Sequence, residues 1–213
     1  MADPGWVAHH LGSQPMSFLE IQIQTGWGRV LQAFVDWCQP QAGWITLDVG
    51  CGPGLLPAFL SRRDCQAFGV DLEARMYSSS RIHSQLAVAD AFRLPFSSQC
   101  LHLVTASNLL FLLAEPLSAL KEMVRLIRPE GRIAVLNPSE HMSVTAATEL
   151  ADQRGLLGLD RDSLLNWAAL AEANHRWGEG ELGGLFAAAG LRLVKTTLRV
   201  GPGLARFAKG IRV

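Results

Sequence analysis

The sequence predicts a doubly wound α/β domain with a parallel sheet and an antiparallel hairpin at its C-terminus. Short apolar runs recur through the middle of the chain, bounded by turn residues: Trp44–Val49, Ala67–Val70, Leu86–Ala89, Leu101–Ala106 and Ile133–Leu136. Segments of helical spacing separate them, and strands alternating with helices make right-handed βαβ units. The runs are also near-continuously apolar, as parallel strands covered on both faces must be.

Residues 1–43 are helical in pattern and lie before the first strand. Leu55–Arg63 and Glu73–Arg81 read as the next crossover helices. In Glu115–Ile127, the residues Leu117, Leu120, Met123, Val124 and Ile127 mark one face of a helix. Residues 138–180 are a second helical stretch outside the βα repeat, and with 1–43 they form the expected lid. Residues 181–213 hold the last helix and two strand-like runs, Leu191–Val200 and Leu204–Val213, joined by the turn Gly201-Pro202-Gly203. One domain is therefore expected, with a core over residues 44–137.

Composition narrows the function classes. Hydrophobic residues make up 49% of the 213 and charged residues 18%, which excludes a disordered chain. The most apolar stretch, Leu101 to Ala114, is interrupted by His102, Thr105, Ser107 and Asn108, too polar for a membrane span. Asp3, His9 and His10 stand where a signal peptide would need a basic start and an apolar run, so secretion is not expected. Nineteen Lys and Arg balance nineteen Asp and Glu without a basic block, which argues against nucleic acid as a partner. Cysteines 38, 51, 65 and 100 have no metal-ligand spacing and read as reduced thiols of a cytoplasmic protein with no metal site.

The chemistry is concentrated in Ile45-Thr46-Leu47-Asp48-Val49-Gly50-Cys51-Gly52-Pro53-Gly54, a strand that runs through three alternating glycines into a helix. Such a turn lets a ligand approach bare backbone. Leu55 stands where a dinucleotide fingerprint wants its third glycine, and Leu55-Leu56 stand where a phosphate loop wants Lys-Ser or Lys-Thr. Asp48 puts a negative charge at the turn, which disfavours a pyrophosphate and suits an ammonium group. Asp71 closes the second strand, twenty-three residues beyond Asp48, where a carboxylate takes both hydroxyls of a ribose. Asp90-Ala91 follow the third strand, where they can meet the polar edge of an adenine or cap a turn before Phe92.

In these residues the chain resembles the class I S-adenosylmethionine-dependent methyltransferases, in particular the small-molecule branch of ubiquinone and menaquinone biosynthesis. The resemblance rests on Leu47–Gly54, Gly69-Val70-Asp71 with Met76, Ala89-Asp90-Ala91 with Leu94-Pro95-Phe96, Ser107-Asn108, and Leu120-Lys121-Glu122 leading to Arg128-Pro129-Glu130-Gly131. It implies a Rossmann-like seven-stranded sheet with its last strand antiparallel, and S-adenosylmethionine as cofactor, with S-adenosylhomocysteine as product. It further implies that Asp48 holds the cofactor's amino group and that Gly50, Cys51, Gly52 and Gly54 approach its methionine part. Asp71 would take the ribose, Leu72 would pack on the adenine, Asp90 and Ala91 would read its edge, and Ser107 and Asn108 would lie near the sulfonium.

Two features depart from the family. Phe111 and Leu112 stand where many relatives carry histidines after the fourth strand, so no ready-made base is present and the catalytic residue is left unassigned. Asn137-Pro138-Ser139 resembles an amino-group methyltransferase motif but follows the fifth strand instead of the fourth, and is discounted. The substrate candidates are Trp27, His141 and His175 in the lid segments, where Trp167 and Trp177 also lie. The expected function is methyl transfer to a small molecule by a monomer or homodimer. The alternatives are a silent domain that holds the cofactor without transferring a methyl group, and a nicotinamide oxidoreductase, which the glycine register disfavours.

Overall fold

In the computed structural model, residues 17–77 and 85–213 are described. His9, His10, His83 and the end of the helix expected over Glu73–Arg81 lie outside them. Seven strands form one sheet in the order β3-β2-β1-β4-β5-β7-β6. They are β1 (Ile45–Val49), β2 (Gln66–Asp71), β3 (Leu86–Val88), β4 (Leu101–Ser107), β5 (Ile127–Pro138), β6 (Leu191–Arg199) and β7 (Ala205–Arg212). The first five run parallel; β7 inserts antiparallel beside β5, from Arg132↔Ile211 to Pro138↔Ala205, and β6 pairs antiparallel with it at the edge. The expected α/β fold with its C-terminal hairpin is present. Strand order reverses between β1 and β4, and a doubly wound sheet opens its ligand crevice at such a point.

Among the described residues, seven α-helices accompany the sheet: α1 (Phe18–Gln24), α2 (Trp27–Cys38), α3 (Leu55–Ser61), α4 (Pro116–Leu126), α5 (Val144–Gln153), α6 (Gly158–Glu172) and α7 (Glu179–Ala188). A capping box starts α1, where Glu20 N–H donates to Ser17 Oγ and Ser17 N–H donates to Glu20 Oε2. On α2 the buried residues Leu31, Phe34, Val35 and Cys38 fall on one stripe, which packs toward the sheet. One core joins that stripe to Leu56, Leu103, Leu136, Trp167 and Phe207. The other, across the sheet, joins Leu47, Val49, Val104, Leu120, Met123 and Phe186. Alternation along β1 sends Leu47 and Val49 to the second core, so Thr46 and Asp48 face the first.

Three expectations change. The helix expected over Glu73–Arg81 is a 3-10 turn, Ala74–Tyr77, as far as it is described. The last expected helix residue before the fifth strand, Ile127, already belongs to β5, which is twelve residues long instead of four. The cause is a bulge: Leu101 and Leu103 pair with Ile127 and Arg132, and the surplus residues include Glu130 at φ 65 followed by Gly131. The hairpin turn is also longer than Gly201-Pro202-Gly203, because β6 ends at Arg199 and β7 starts at Ala205. No helix among the described residues is long and apolar enough to cross a membrane.

Candidate active site at the switch point

Beyond the carboxyl end of β1 the chain turns through Gly50, Gly52 and Gly54 at φ 71, 52 and 89, all in the left-handed region that glycine alone enters without strain. The turn is fastened to β2, since the N–H groups of Gly50 and Cys51 both donate to the Val70 carbonyl, at 2.8 and 3.0 Å. Asp71 completes the fastening: its Oδ2 accepts from Gly52 N–H at 2.8 Å and its Oδ1 from Glu73 N–H at 3.0 Å. The two loops are thus held at a fixed separation by one carboxylate, each of whose oxygens retains a free lone pair.

Asp48 lies on the floor, 1% exposed. Its register partner on β4 is Thr105, whose hydroxyl donates to Asp48 Oδ1 at 2.6 Å. Burial, with a smaller push from the Asp71 charge and an opposing pull from the Thr105 hydroxyl, raises the Asp48 carboxyl to about 8. At neutral pH the acid therefore stays protonated until a cation arrives to repay its ionisation. Beside it, burial and the charges of Asp48 and Asp71 push the Cys51 thiol well up, which keeps it an inert wall group.

A cavity of about 180 Å³ stands over these groups. Among the expected site residues, Asp48, Gly50, Cys51, Gly52, Asp71, Ser107, Asn108 and Trp27 line it, together with Met76. Leu72, 48% exposed, does not line it, nor do Gly54, Asp90 or Ala91. A Cβ on Gly54 would sit 2.8 Å from a Leu86 methyl, so that glycine serves the packing of β3 on the turn. Asp90 Oδ1 accepts from Phe92 N–H at 2.9 Å, the turn-capping alternative. His141 and His175 are exposed and also stand apart from the cavity: His141 is beside Glu140, and His175 stacks on Trp177 at 5.3 Å.

Much of the roof comes from residues without a local signal. Phe18 and Gln22 on α1, Leu31 on α2, and Trp167 on α6 close the cavity from the lid segments, and Leu109 and Phe111 close it from the β4 end. A Cβ on Gly52 would lie 3.4 Å from the Phe18 ring, and one on Gly50 would lie 2.9 Å from Leu109. The side-chain oxygens Gln22 Oε1 and Asn108 Oδ1 in this lining are buried without a hydrogen-bond partner among the described residues. An unpaired buried acceptor is costly, and both would be satisfied by donors of a ligand. A buried acid awaiting a cation, a pinned carboxylate with spare lone pairs and bare glycine backbone match the ammonium, ribose and chain of S-adenosylmethionine. Among the described residues, no group of three or more His, Cys, Asp or Glu is gathered as for a metal ion.

Comparison with known proteins agrees with this chemistry. The methyltransferase-domain family matches residues 47–135, the stretch from β1 to β5. A 2-phytyl-1,4-naphtoquinone methyltransferase of Thermosynechococcus vestitus is 30% identical over 155 residues, 68% of either chain. A ubiquinone/menaquinone biosynthesis C-methyltransferase of Roseobacter denitrificans is 32% identical over 120 residues, and there the match spans only 48% of the relative's length. The fold is shared with the magnesium protoporphyrin IX methyltransferase of Synechocystis, solved with bound S-adenosylhomocysteine, at a TM-score of 0.66 and 16% identity, covering 95% of this chain and 90% of that one. A strand-end cavity with this polar floor and a relative of this extent lead to one conclusion: the chain belongs to the S-adenosylmethionine-dependent methyltransferases.

Proposed function

We propose that the protein transfers the methyl group of S-adenosylmethionine to a small, largely apolar acceptor. The observation that carries the reading is the convergence of buried Asp48 and pinned Asp71 on one cavity at the glycine turn. The apolar lining from Phe18, Leu31, Leu109 and Trp167, and relatives named for a naphthoquinone, ubiquinone or menaquinone, support an acceptor of that kind.

Each residue has a physical task in this reading. Asp48 gives up its proton and pairs with the cofactor's ammonium, and Asp71 accepts from the ribose hydroxyls while still holding the two loops. Gly50 and Gly52 leave the backbone open to the methionine chain, Cys51 walls the site, and Ser107, Asn108 and Gln22 offer acceptors near the reacting end. Gly54 shapes the turn from behind. Leu72, Asp90 and Ala91 stay assigned to the adenine on the resemblance, and Trp27 to the acceptor on its place in the wall. The cofactor supplies a methyl group on a sulfonium already activated for displacement.

The chain contributes orientation and exclusion of water to the transfer. An electron pair of the acceptor would form the new bond as the carbon–sulfur bond breaks toward sulfur, and the proton lost by the acceptor would reach bulk water when the site opens to release product. Incubation with methyl-labelled cofactor and a panel of quinols, phenols and porphyrins, read as labelled product, tests the assignment.

Phe111 and Leu112 in place of histidines favour a second reading, a domain that binds the cofactor without transferring its methyl group. Cofactor binding by calorimetry with no labelled product from any acceptor would select it. A cytoplasmic location is supported by the four free thiols, three of them buried. The balanced charge supports a partner other than nucleic acid. The functional unit is taken as a monomer or homodimer.

A further inference from the structure

A second cavity, of about 310 Å³, adjoins the first. It lies where α2, α5 and α6 meet the β6–β7 turn, on the side of β5 and β7, and its apolar lining includes Val30, Leu150, Leu164 and Phe207. Trp27 and Trp167 line both cavities and pack edge to face at a centroid distance of 4.6 Å, so this pair stands where the two cavities meet. Trp167 is 2% exposed and its indole N–H is buried without a hydrogen-bond partner among the described residues, a donor left unspent at the boundary.

The lining of the second cavity carries three arginines, Arg29, Arg154 and Arg199, all exposed, and a single carboxylate, Asp160. That carboxylate is engaged, because Asp160 Oδ1 accepts from Gly26 N–H at 3.0 Å. The nearby Asp152 is taken by Arg161. Arg199 donates to the Leu198 carbonyl and lies over the Phe207 ring, and neither Arg29 nor Arg154 has an ion-pair partner among the described residues. In a chain with no net charge, an apolar chamber thus opens through a surplus of guanidinium groups, whose forked donors match a carboxylate.

We infer that the second cavity is the acceptor subsite, and that the acceptor is an apolar carboxylate whose carboxylate is anchored by Arg29, Arg154 and Arg199. This rests on the methyltransferase reading and goes beyond it by fixing which end of the acceptor reacts. The arginines do not line the cofactor cavity, whereas the tryptophan pair borders both. The carboxylate is therefore the handle, and the atom that receives the methyl group lies at the opposite, apolar end of the molecule.

The test uses three probes of one shape, 2-naphthoate, 2-naphthalenemethanol and 2-naphthyltrimethylammonium, titrated calorimetrically into the protein with and without S-adenosylhomocysteine. Naphthoate should bind at least tenfold tighter than the alcohol, with the cation weakest. Arg154→Gln, a change at an exposed side chain, should weaken that preference, and the triple replacement Arg29→Gln, Arg154→Gln and Arg199→Gln should remove it, while the affinity for S-adenosylhomocysteine stays unchanged. Equal binding of acid and alcohol, no binding of naphthoate, a preference that survives the triple variant, or a methyl ester of naphthoate in the presence of S-adenosylmethionine would each overturn the inference. Absence of S-adenosylhomocysteine binding to the unaltered protein would instead overturn the cofactor reading and leave the carboxylate preference to be judged on its own.

Discussion

Replacing Asp48 with Asn should separate the charge of this side chain from its shape. In the ligand-free protein, burial holds the carboxyl to about 8, above the 3.8 of an ordinary Asp, and the acid is neutral below that pH. Pairing with an ammonium group favours the ionised form, so binding expels a proton. If the bound acid is ionised throughout, the fraction of protein ready to bind rises from about 1 in 100 at pH 6 to about half at pH 8, a roughly fiftyfold gain at about 1.4 kcal/mol per pH unit. The Asp71 charge and the Thr105 hydroxyl, the other groups facing Asp48, act on the acid in opposite directions. Calorimetry with S-adenosylhomocysteine at pH 6, 7 and 8, repeated in buffers of different ionisation enthalpy, reads both the affinity and the proton. Asp48→Asn keeps the acceptor for the Thr105 hydroxyl, should lose about 1.5–3 kcal/mol of binding at pH 8, and should show no proton release from this site. Stability gives an independent reading. Because the folded state holds this proton longer than the unfolded chain, the contribution of Asp48 to stability is full below about pH 4 and falls as pH rises toward 8, and Asp48→Asn should remove that part of the pH dependence. A wild-type affinity that does not change between pH 6 and 8, or a variant that binds as well as wild type at pH 8, would refute the assignment of Asp48 to an ammonium group.

The remaining expectations concern the loop and its roof. Asp71→Ala removes both the ribose acceptor and the clamp from Gly52 N–H to Glu73 N–H, so calorimetry should show binding weaker by roughly 1.5–3 kcal/mol or more, and unchanged affinity in a folded variant would exclude the ribose role. Gly52→Val forces a branched side chain into positive φ against the Phe18 ring and should abolish binding in equilibrium dialysis; tight binding by this variant would remove the cofactor from the loop. Hydrogen exchange should slow in α1, α2 and α6 when S-adenosylhomocysteine is added, while Ile133–Leu136 stays protected throughout, and equal protection with and without ligand would make these helices rigid scaffold.

Much of the site was legible because its chemistry is local in the chain. Glycines at 50 and 52 are needed by backbone angles, Asp48 and Asp71 sit at strand ends, and Ser107-Asn108 follow directly from a strand, so residue type and spacing place them together. The same local pattern predicts a helix over Glu73–Arg81, whose described part is a 3-10 turn, and a later start for β5, since a helical stripe cannot reveal a 3-10 turn and a bulge depends on the partner strand. It also put His141 and His175 near the acceptor because they lie in the lid segments, yet both point to Glu140 and Trp177 instead.

The amino-acid sequence by itself determined the order of strands and helices, the glycine turn and the carboxylates at its flanks, because hydrophobic periodicity and backbone sterics act over a few residues. Only the tertiary structure decided that Thr105 faces Asp48, that Phe18 and Gln22 roof the glycines, and that Trp27 meets Trp167 between two cavities. Those contacts join α1, α2, β4 and α6, elements up to about 140 residues apart in the chain, and they exist only once the sheet has fixed where each element packs.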